Sequence, residues 1–140
     1  MIKLIDILEN KILVPRRGKE ERAKNHKIAL QKQIQQYIKD GSKGDLSLGN
    51  TPITFLPNNL TKVGGDLWLS FSKITSLPDN LEVEGILDLT GIQITSLPNN
   101  LQVGGDLDLI DTPLSKKYSV EEINQMVEDK GGKVEGGIYF

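Results

Sequence analysis

Leucines recur along the middle of the chain in a fixed pattern. Four L-x-L triplets are spaced 21, 20 and 20 residues apart: Leu46-Ser47-Leu48, Leu67-Trp68-Leu69, Leu87-Asp88-Leu89 and Leu107-Asp108-Leu109. Alternate side chains of a strand point to opposite faces, so both leucines of a triplet are predicted to enter a core while the middle residue faces outward. Self-similarity at this period is typical of a solenoid, in which each unit is one coil stacked on the next.

Other positions repeat with the same period and complete the coil. Prolines recur on one side of it, and because proline lacks an N–H group we expect that side to be extended or turn-like, with the strands on the other side. Glycines precede each later triplet and predict a sharp turn into the strand. The recurring apolar sets are Ile53, Ile74, Ile94 and Leu114; Leu56, Leu77 and Leu97; Leu60, Leu81 and Leu101; and Val63, Val83 and Val103. The prolines are Pro57, Pro78 and Pro98, and the glycines are Gly64-Gly65, Gly85 and Gly104-Gly105.

The run L-x-L-x-x-x-x-I-x-x-L-P-x-x-L over residues 44–115 resembles the leucine-rich repeat. Its short LP-containing form is similar to a bacterial and phage-associated class that includes secreted effectors binding host proteins. The resemblance implies a repeat module whose strand face binds a protein. Two slots depart from the family pattern, and they leave a more regular β-solenoid open as an alternative. The family's asparagine slot holds Thr51, Ser72, Ile92 and Thr112, and its first leucine slot holds Gly64, Glu84 and Gly104.

Both ends of the repeat array differ from the repeats, as expected of caps on an otherwise open core. In residues 116–140, Ser119 with Glu122 forms a capping box, and Gly131-Gly132 ends the helix it begins. The apolar face of this helix, with Ile123, Met126 and Val127, is predicted to cover the last coil. The closing KVEGGIYF predicts a short final strand.

Residues 1–43 are predicted to be a basic helical region that caps the first coil. The main helix carries an apolar stripe of Ala23, Leu30, Ile34, Tyr37 and Ile38 and ends at Gly41. A shorter helix, IKLIDILEN, is predicted to precede it, separated by KILVPRRGK. This first piece has two open interpretations, a second cap layer or an amphipathic segment that docks or dimerises. We expect residues 1–43, 44–115 and 116–140 to form a single α+β folding unit.

Charge and composition narrow the function. Residues 1–43 hold eleven Lys and Arg against five Asp and Glu, whereas residues 44–140 hold six against fourteen. The chain has no Cys and only His26, which excludes disulfides, thiol nucleophiles and cysteine zinc sites. Some effectors of the class that the repeat resembles carry a ligase domain with a catalytic Cys, an activity that a chain without Cys cannot have. We predict no enzymatic activity, cofactor or metal site, and, without a signal-peptide or membrane-span pattern, a cytoplasmic protein of a bacterial or phage-infected cell.

The outward positions of the predicted strands form the candidate binding face. It is acidic, with one aromatic patch, and Trp68 at its centre is a candidate hot spot because tryptophan is over-represented among residues that dominate binding energy. Asp88 and Asp108 are like charges on adjacent strands, which a basic partner would compensate. The alternative interpretation is that Trp68 packs on a neighbouring coil and that solvent screens the carboxylates. The predicted partner-binding residues are Trp68, Asp66, Phe71, Asp88, Asp106 and Asp108.

Two other functions stay open. An assembly or structural component, such as one of a phage, would self-associate through the basic head and the acidic body. Nucleic-acid binding by the head is the less favoured alternative, because no aromatic residues interleave with its basic ones and Glu20 and Glu21 interrupt them. Those basic residues are Arg16, Arg17, Lys19, Arg22, Lys24, Lys27 and Lys32.

Overall fold

The repeats wind into a β-solenoid with two parallel ladders of two-residue strands. The computed structural model describes residues 2–140, with side chains from residue 20 onward. One ladder has five strands: β1 (Leu46–Ser47), β3 (Leu67–Trp68), β5 (Leu87–Asp88), β7 (Leu107–Asp108) and β9 (Ile138–Tyr139). The other has four: β2 (Lys62–Val63), β4 (Glu82–Val83), β6 (Gln102–Val103) and β8 (Lys133–Val134). The helices are α1 (Ile2–Lys39), α2 (Pro113–Lys117) and α3 (Val120–Asp129).

The predicted inward positions form the core. Every leucine of the four triplets is buried, and the strands pair in the register of the repeat, with Leu67 opposite Leu46 and Leu87 opposite Leu67. The periodic isoleucines, leucines and valines between the triplets are buried as well. One thin apolar core therefore runs along the axis of the stack, as the period-20 pattern predicts.

The second ladder corrects the prediction that strands lie on one side of the coil only. The prolines do fall outside the strands, but a few residues later each coil extends again and bonds to its neighbours, with Glu82 N–H donating to Thr61 O at 2.9 Å and Glu84 N–H to Val63 O at 2.9 Å. A missing donor at Pro57 affects only its own position. The chain recovers a ladder as soon as consecutive N–H groups are present.

Glycine is required at one corner because coils approach closely there. Gly65, Gly85, Gly105 and Gly136 form a column in which each later N–H donates to the preceding glycine carbonyl at 2.9 to 3.0 Å. A Cβ on Gly105 would lie 2.8 Å from the carbonyl carbon of Gly85. The sequence predicts a sharp turn at these glycines, whereas the structure shows that backbone contact between coils excludes a side chain.

The C-terminal segment is a modified coil. Ser119 caps α3 with Glu122 in the predicted capping box, and Ile123 and Val127 are buried against the core. The predicted single final strand is two strands, β8 and β9, which extend both ladders. The distance along the chain between ladder valines increases from 20 residues, Val83 to Val103, to 31, Val103 to Val134. The extra residues allow this coil to contain α2 and α3.

The C-terminal part of α1 caps the first coil. Leu30 and Ile34 are buried, and Tyr37 and Ile38 pack against the core, as the apolar stripe predicts. Ala23 is exposed, so its inclusion in the buried stripe was wrong: residues 20–29 are all exposed, and the helix reaches the solenoid only at Leu30. No helix in the part of the chain that the structure describes is long and apolar enough to cross a membrane.

The predicted break between two N-terminal helices is absent, since α1 runs from Ile2 to Lys39. Proline costs a helix one hydrogen bond, and the surrounding residues are rich in good helix formers, which explains how one helix can pass through Pro15. The predicted docking or capping role of IKLIDILEN depends on side chains of residues 1–19, and these are outside the part of the chain whose side chains the structure describes.

Tyr37 joins the helical cap to the solenoid. Its hydroxyl lies 3.0 Å from Ser42 O and 2.8 Å from Gly44 O, and it accepts the N–H of Gly64 at 3.2 Å. Burial raises the pKa of the Tyr37 phenol above its ordinary value of 10, although the Gly64 N–H opposes this shift. The neutral hydroxyl, acting as donor and acceptor, is the form that this site stabilises.

We expect Tyr37→Phe to lower the free energy of unfolding by about 1 kcal/mol, because the variant removes the hydroxyl that bonds Gly44 O at 2.8 Å, whereas the Gly64 N–H keeps its bond to Ser42 O at 2.8 Å. A raised pKa means that the contribution is complete below pH 10 and is lost as the pH rises through the folded-state value. The stability difference between wild type and variant should therefore shrink above pH 10. Urea unfolding at pH 7, 9 and 10.5 measures this, and a difference that grows with pH would contradict it.

Candidate functional site

The outward side of the five-stranded ladder, here called the strand face, brings three predicted site residues into one row. Trp68, Asp88 and Asp108 are neighbours in strand register, and adjacent strands lie about 4.8 Å apart. All three are half-buried. The row begins at Ser47 and ends at Tyr139.

Tyr139 is a member of this row that the sequence reasoning missed. Its side chain is 53% exposed. The signal was present: Ile138-Tyr139-Phe140 follows a glycine pair and has the apolar-x-apolar pattern of the triplets. The sequence predicts a final strand here but not its place in the row, because the inserted helices lengthen the spacing to 31 residues, which breaks the period.

Asp66 and Asp106 lie in the adjacent row, just before the strands, where they link coils. Asp66 Oδ1 accepts the N–H of Ile86 at 2.7 Å, and Asp106 Oδ1 accepts the N–H of Gly137 at 2.8 Å. Asp45 does the same for the N–H of Asp66 at 2.7 Å. These carboxylates satisfy the backbone of the next coil. This role is sufficient to explain their recurrence in the sequence.

Asp88 and Asp108 bond within their own coils. Asp88 Oδ1 accepts the N–H of Thr90 at 2.9 Å, and Asp108 Oδ1 accepts the N–H of Ile110 at 3.1 Å. This is the local turn that aspartate favours, in which its side chain bonds the backbone two residues on. One carboxylate oxygen of each residue is therefore engaged in holding the end of its strand.

No acidic residue of the row has an ion-pair partner among residues 20–140. Among residues 20–140, the ion pairs are Lys62 with Glu84 and Lys133 with Glu135, each at 3.1 Å and each beside the second ladder. The hydrogen bond to Glu84 raises the pKa of Lys62. Adjacent like charges on neighbouring strands are unfavourable. The strand face would therefore gain from a positive group supplied by another molecule.

Phe71 has an unusual backbone conformation at the corner after β3. Its φ is +57°, and the equivalent residues of other coils, Asn50, Gly91 and Asp111, also have positive φ. Glycine, asparagine and aspartate tolerate this left-handed conformation, whereas a bulky residue is sterically strained in it. The ring nevertheless remains 56% exposed, and a Cβ on Gly91 would lie 2.5 Å from ring atoms of Phe71. The ring thus covers Gly91 on one side, and the strained, otherwise exposed aromatic residue favours a contact role.

Hydroxyl side chains at the position of the family's asparagine close turns within coils. Thr51 Oγ1 donates to Leu48 O at 2.6 Å, and Thr112 Oγ1 donates to Leu109 O at 2.8 Å. Ser72 is buried in the same slot, and its Oγ has no hydrogen-bond partner in the described residues. Side-chain bonds between coils include those of the aspartates before the strands and, outside the ladders, Asn100 Nδ2 to Asn80 Oδ1 and Asn99 N–H to Asp79 Oδ1, both at 2.9 Å.

The basic residues of the head that the structure describes are exposed along α1: Arg22, Lys24, Lys27 and Lys32. Arg16, Arg17 and Lys19 lie outside the described side chains. Within residues 20–140, no group of three or more His, Asp or Glu side chains gathers in a geometry that could hold a metal ion.

The chain matches no family model, no curated protein and no solved structure. The function therefore has to be argued from the geometry of the strand face.

Proposed function

We propose that the protein is a non-enzymatic protein-binding module that uses its strand face. The observation that carries this proposal is the row of Trp68, Asp88 and Asp108, an aromatic side chain followed by two carboxylates in strand register that have no ion-pair partner among residues 20–140. Tryptophan is enriched among the interface residues that dominate binding energy. The partner is a protein surface with a basic or mixed character.

The repeat architecture supports this use of the face. The apolar side chains that form the core between the coils point inward and are buried. Middle residues of the triplets face out and differ from coil to coil, namely Ser47, Trp68, Asp88, Asp108 and Tyr139. Residues displayed at fixed spacing on a rigid ladder are pre-organised for recognition, which lowers the entropic cost of binding.

The proposal extends to the class of protein. The L-x-L and LP pattern supports a short leucine-rich repeat of the bacterial and phage-associated type, acting in the cytoplasm of a bacterial or phage-infected cell. In such a module the coils are scaffold, and the identity of the partner depends on the outward residues alone.

Affinity capture with paired variants tests the proposal. Trp68→Ala with Asp88→Lys should abolish capture of the partner from a lysate of the source cell and leave the circular-dichroism spectrum unchanged. Capture that is unaffected by the double substitution would contradict the proposal. Glu121→Lys, which changes the same charge at an exposed position of α3, serves as the control and should capture normally.

A second pair of variants separates recognition from the structural role of the aspartates. Asp88→Asn and Asp108→Asn each retain an oxygen that can accept the N–H of Thr90 or Ile110 but remove the negative charge. We expect each to weaken capture at least about threefold with little change in thermal stability, as expected of charge pairs at the rim of an interface.

A further inference from the structure

Exposed large apolar side chains on the described part of the chain occur on two surfaces of opposite charge. On the strand face and its corner they are Phe71, Ile110 and Tyr139; aspartates surround them on the face, and Lys73 lies beside Phe71. On the other surface they are Ile28 and Phe55, in company with lysines. Phe140, at the end of the stack, is the remaining member. Apolar patches with complementary charged surroundings are typical of surfaces that bind each other.

The lysine groove lies between α1 and the first coil. It has a volume of about 530 Å³, and Ile28 (43% exposed) and Phe55 (55% exposed) form its apolar part. Lys27, Lys32 and Lys39 line it, and no carboxylate does. The groove therefore offers an apolar site within a positive surrounding.

Hydrogen bonds between the helix and the coil hold this groove open in a fixed shape. Gln31 Nε2 donates to Phe55 O at 3.1 Å. Gln35 and Asn59 exchange two amide bonds, at 3.2 Å and 3.0 Å. Because these bonds already fix the walls of the groove, binding a ligand there costs little conformational entropy.

An exposed aromatic residue beside negative charge occurs on the same chain. Phe71 is the most exposed of the strand-face aromatics, with its ring lying over Gly91 of the next coil, while Asp88 and Asp108 follow on the next two strands. An aromatic ring in the groove would contact Phe55 and Ile28, and aromatic pairs add about 0.5–1.5 kcal/mol beyond area burial. The carboxylates would at the same time face lysines.

We infer that the lysine groove of one copy receives the Phe71 corner of the strand face of a second copy, which makes the chain self-associating. The inference rests on the proposed function of the strand face as a binding surface. Such a contact joins two different patches. Two copies can each place a Phe71 corner in the other's groove and form a two-fold dimer, or successive copies can join into an open chain. One groove alone is small for a stable complex, so we expect a dissociation constant on the order of 10–100 µM.

Sedimentation velocity of the full chain between 1 and 300 µM tests this inference. At 50 mM salt the mean mass should rise above the monomer value of 15.5 kDa with concentration, and at 500 mM salt it should return toward it. Lys27→Glu with Lys32→Glu, and separately Phe71→Ser, should weaken association at least about tenfold. The charge-matched control, Lys116→Glu with Lys117→Glu, lies on exposed positions of α2 and should associate like wild type.

Exchanging the charges of the groove and the strand face gives the most specific test of the contact. The groove variant with Lys27→Glu and Lys32→Glu, and the face variant with Asp88→Lys and Asp108→Lys, should each be monomeric alone. Mixed together, they should associate, because each reversed surface meets its reversed counterpart. Circular dichroism of both variants confirms that the fold is intact.

Three outcomes would overturn the inference. The wild-type chain could remain monomeric at 300 µM and low salt, or it could associate as strongly when the groove lysines are reversed. In the third outcome, the chain does not self-associate but shifts a 20-nucleotide single-stranded DNA in a gel, and the same lysine reversal abolishes the shift. That result would assign the groove to nucleic acid. If self-association is absent while strand-face variants still lose capture of a partner, the proposed function stands and only this inference fails.

Discussion

Replacing Gly105 with alanine should lower the free energy of unfolding by about 3 kcal/mol, near the upper end of the usual cost of overpacking. The added Cβ would lie 2.8 Å from Gly85 C and 2.9 Å from Gly85 O. Those atoms are backbone atoms of the preceding coil, which cannot rotate away as a side chain could. The coils must separate locally, and separation lengthens the bond from Gly105 N–H to Gly85 O, now 2.9 Å. A urea titration followed by circular dichroism measures the change.

The neighbouring column supplies the control for this substitution. Glu84 precedes Gly85 and is exposed, and its carboxylate pairs with exposed Lys62. Because exposed ion pairs contribute little, Glu84→Ala should change stability by less than about 0.5 kcal/mol. A Gly105→Ala variant as stable as Glu84→Ala would show that the coils relax at little cost, and it would contradict the explanation of the glycine column.

Removing the side chain of Ile34 should have the second large effect. Ile34 is 0% exposed and lies on the part of α1 that covers the first coil. Ile34→Ala removes buried methyl groups and leaves a cavity at the end of the core, which costs about 3 kcal/mol in comparable sites. Since terminal units protect the stack, we expect the loss to show as early unfolding of the first coils in hydrogen exchange of Leu46 and Leu48 amides.

The same helix provides a matched comparison. Ile28 has the same side chain as Ile34 but is 43% exposed. Ile28→Ala should therefore cost less than about 0.5 kcal/mol, as surface substitutions usually do. Equal losses at the two positions would mean that the helix does not act as a cap through its buried face.

The periodic part of the fold was predictable because its determinants are local and repeated. The L-x-L triplets, the isoleucines and the valines all have the alternation that a strand or a tight coil imposes, and all are buried where predicted. The capping box at Ser119 is similarly a short-range signal. By contrast, the second ladder forms where Lys62, Glu82 and Gln102 of successive coils lie side by side. The sequence of a single coil carries no distinctive strand pattern at that position.

The strand-face row could be predicted from Ser47 to Asp108, but its last member, Tyr139, and the bonds of the neighbouring aspartates could not. Strand alternation places Trp68 and Asp88 outward from their position in the triplet. Nothing in the local sequence distinguishes Asp66, whose carboxylate bonds the N–H of the next coil, from a carboxylate displayed for a partner. The difference depends on the distance between coils, which is a property of the folded stack. The strain at Phe71 is likewise visible only in its φ of +57°.

The fluorescence of Trp68 tests the central claim most directly, because it is the only tryptophan in the chain and reports on the strand face alone. Acrylamide quenching of the free protein should be intermediate, in line with a half-buried indole. When the captured partner is added to saturation, the account predicts that the quenching constant falls at least about twofold as the indole loses contact with water. A quenching constant that does not change while the partner is demonstrably bound would place the interface elsewhere and contradict the account.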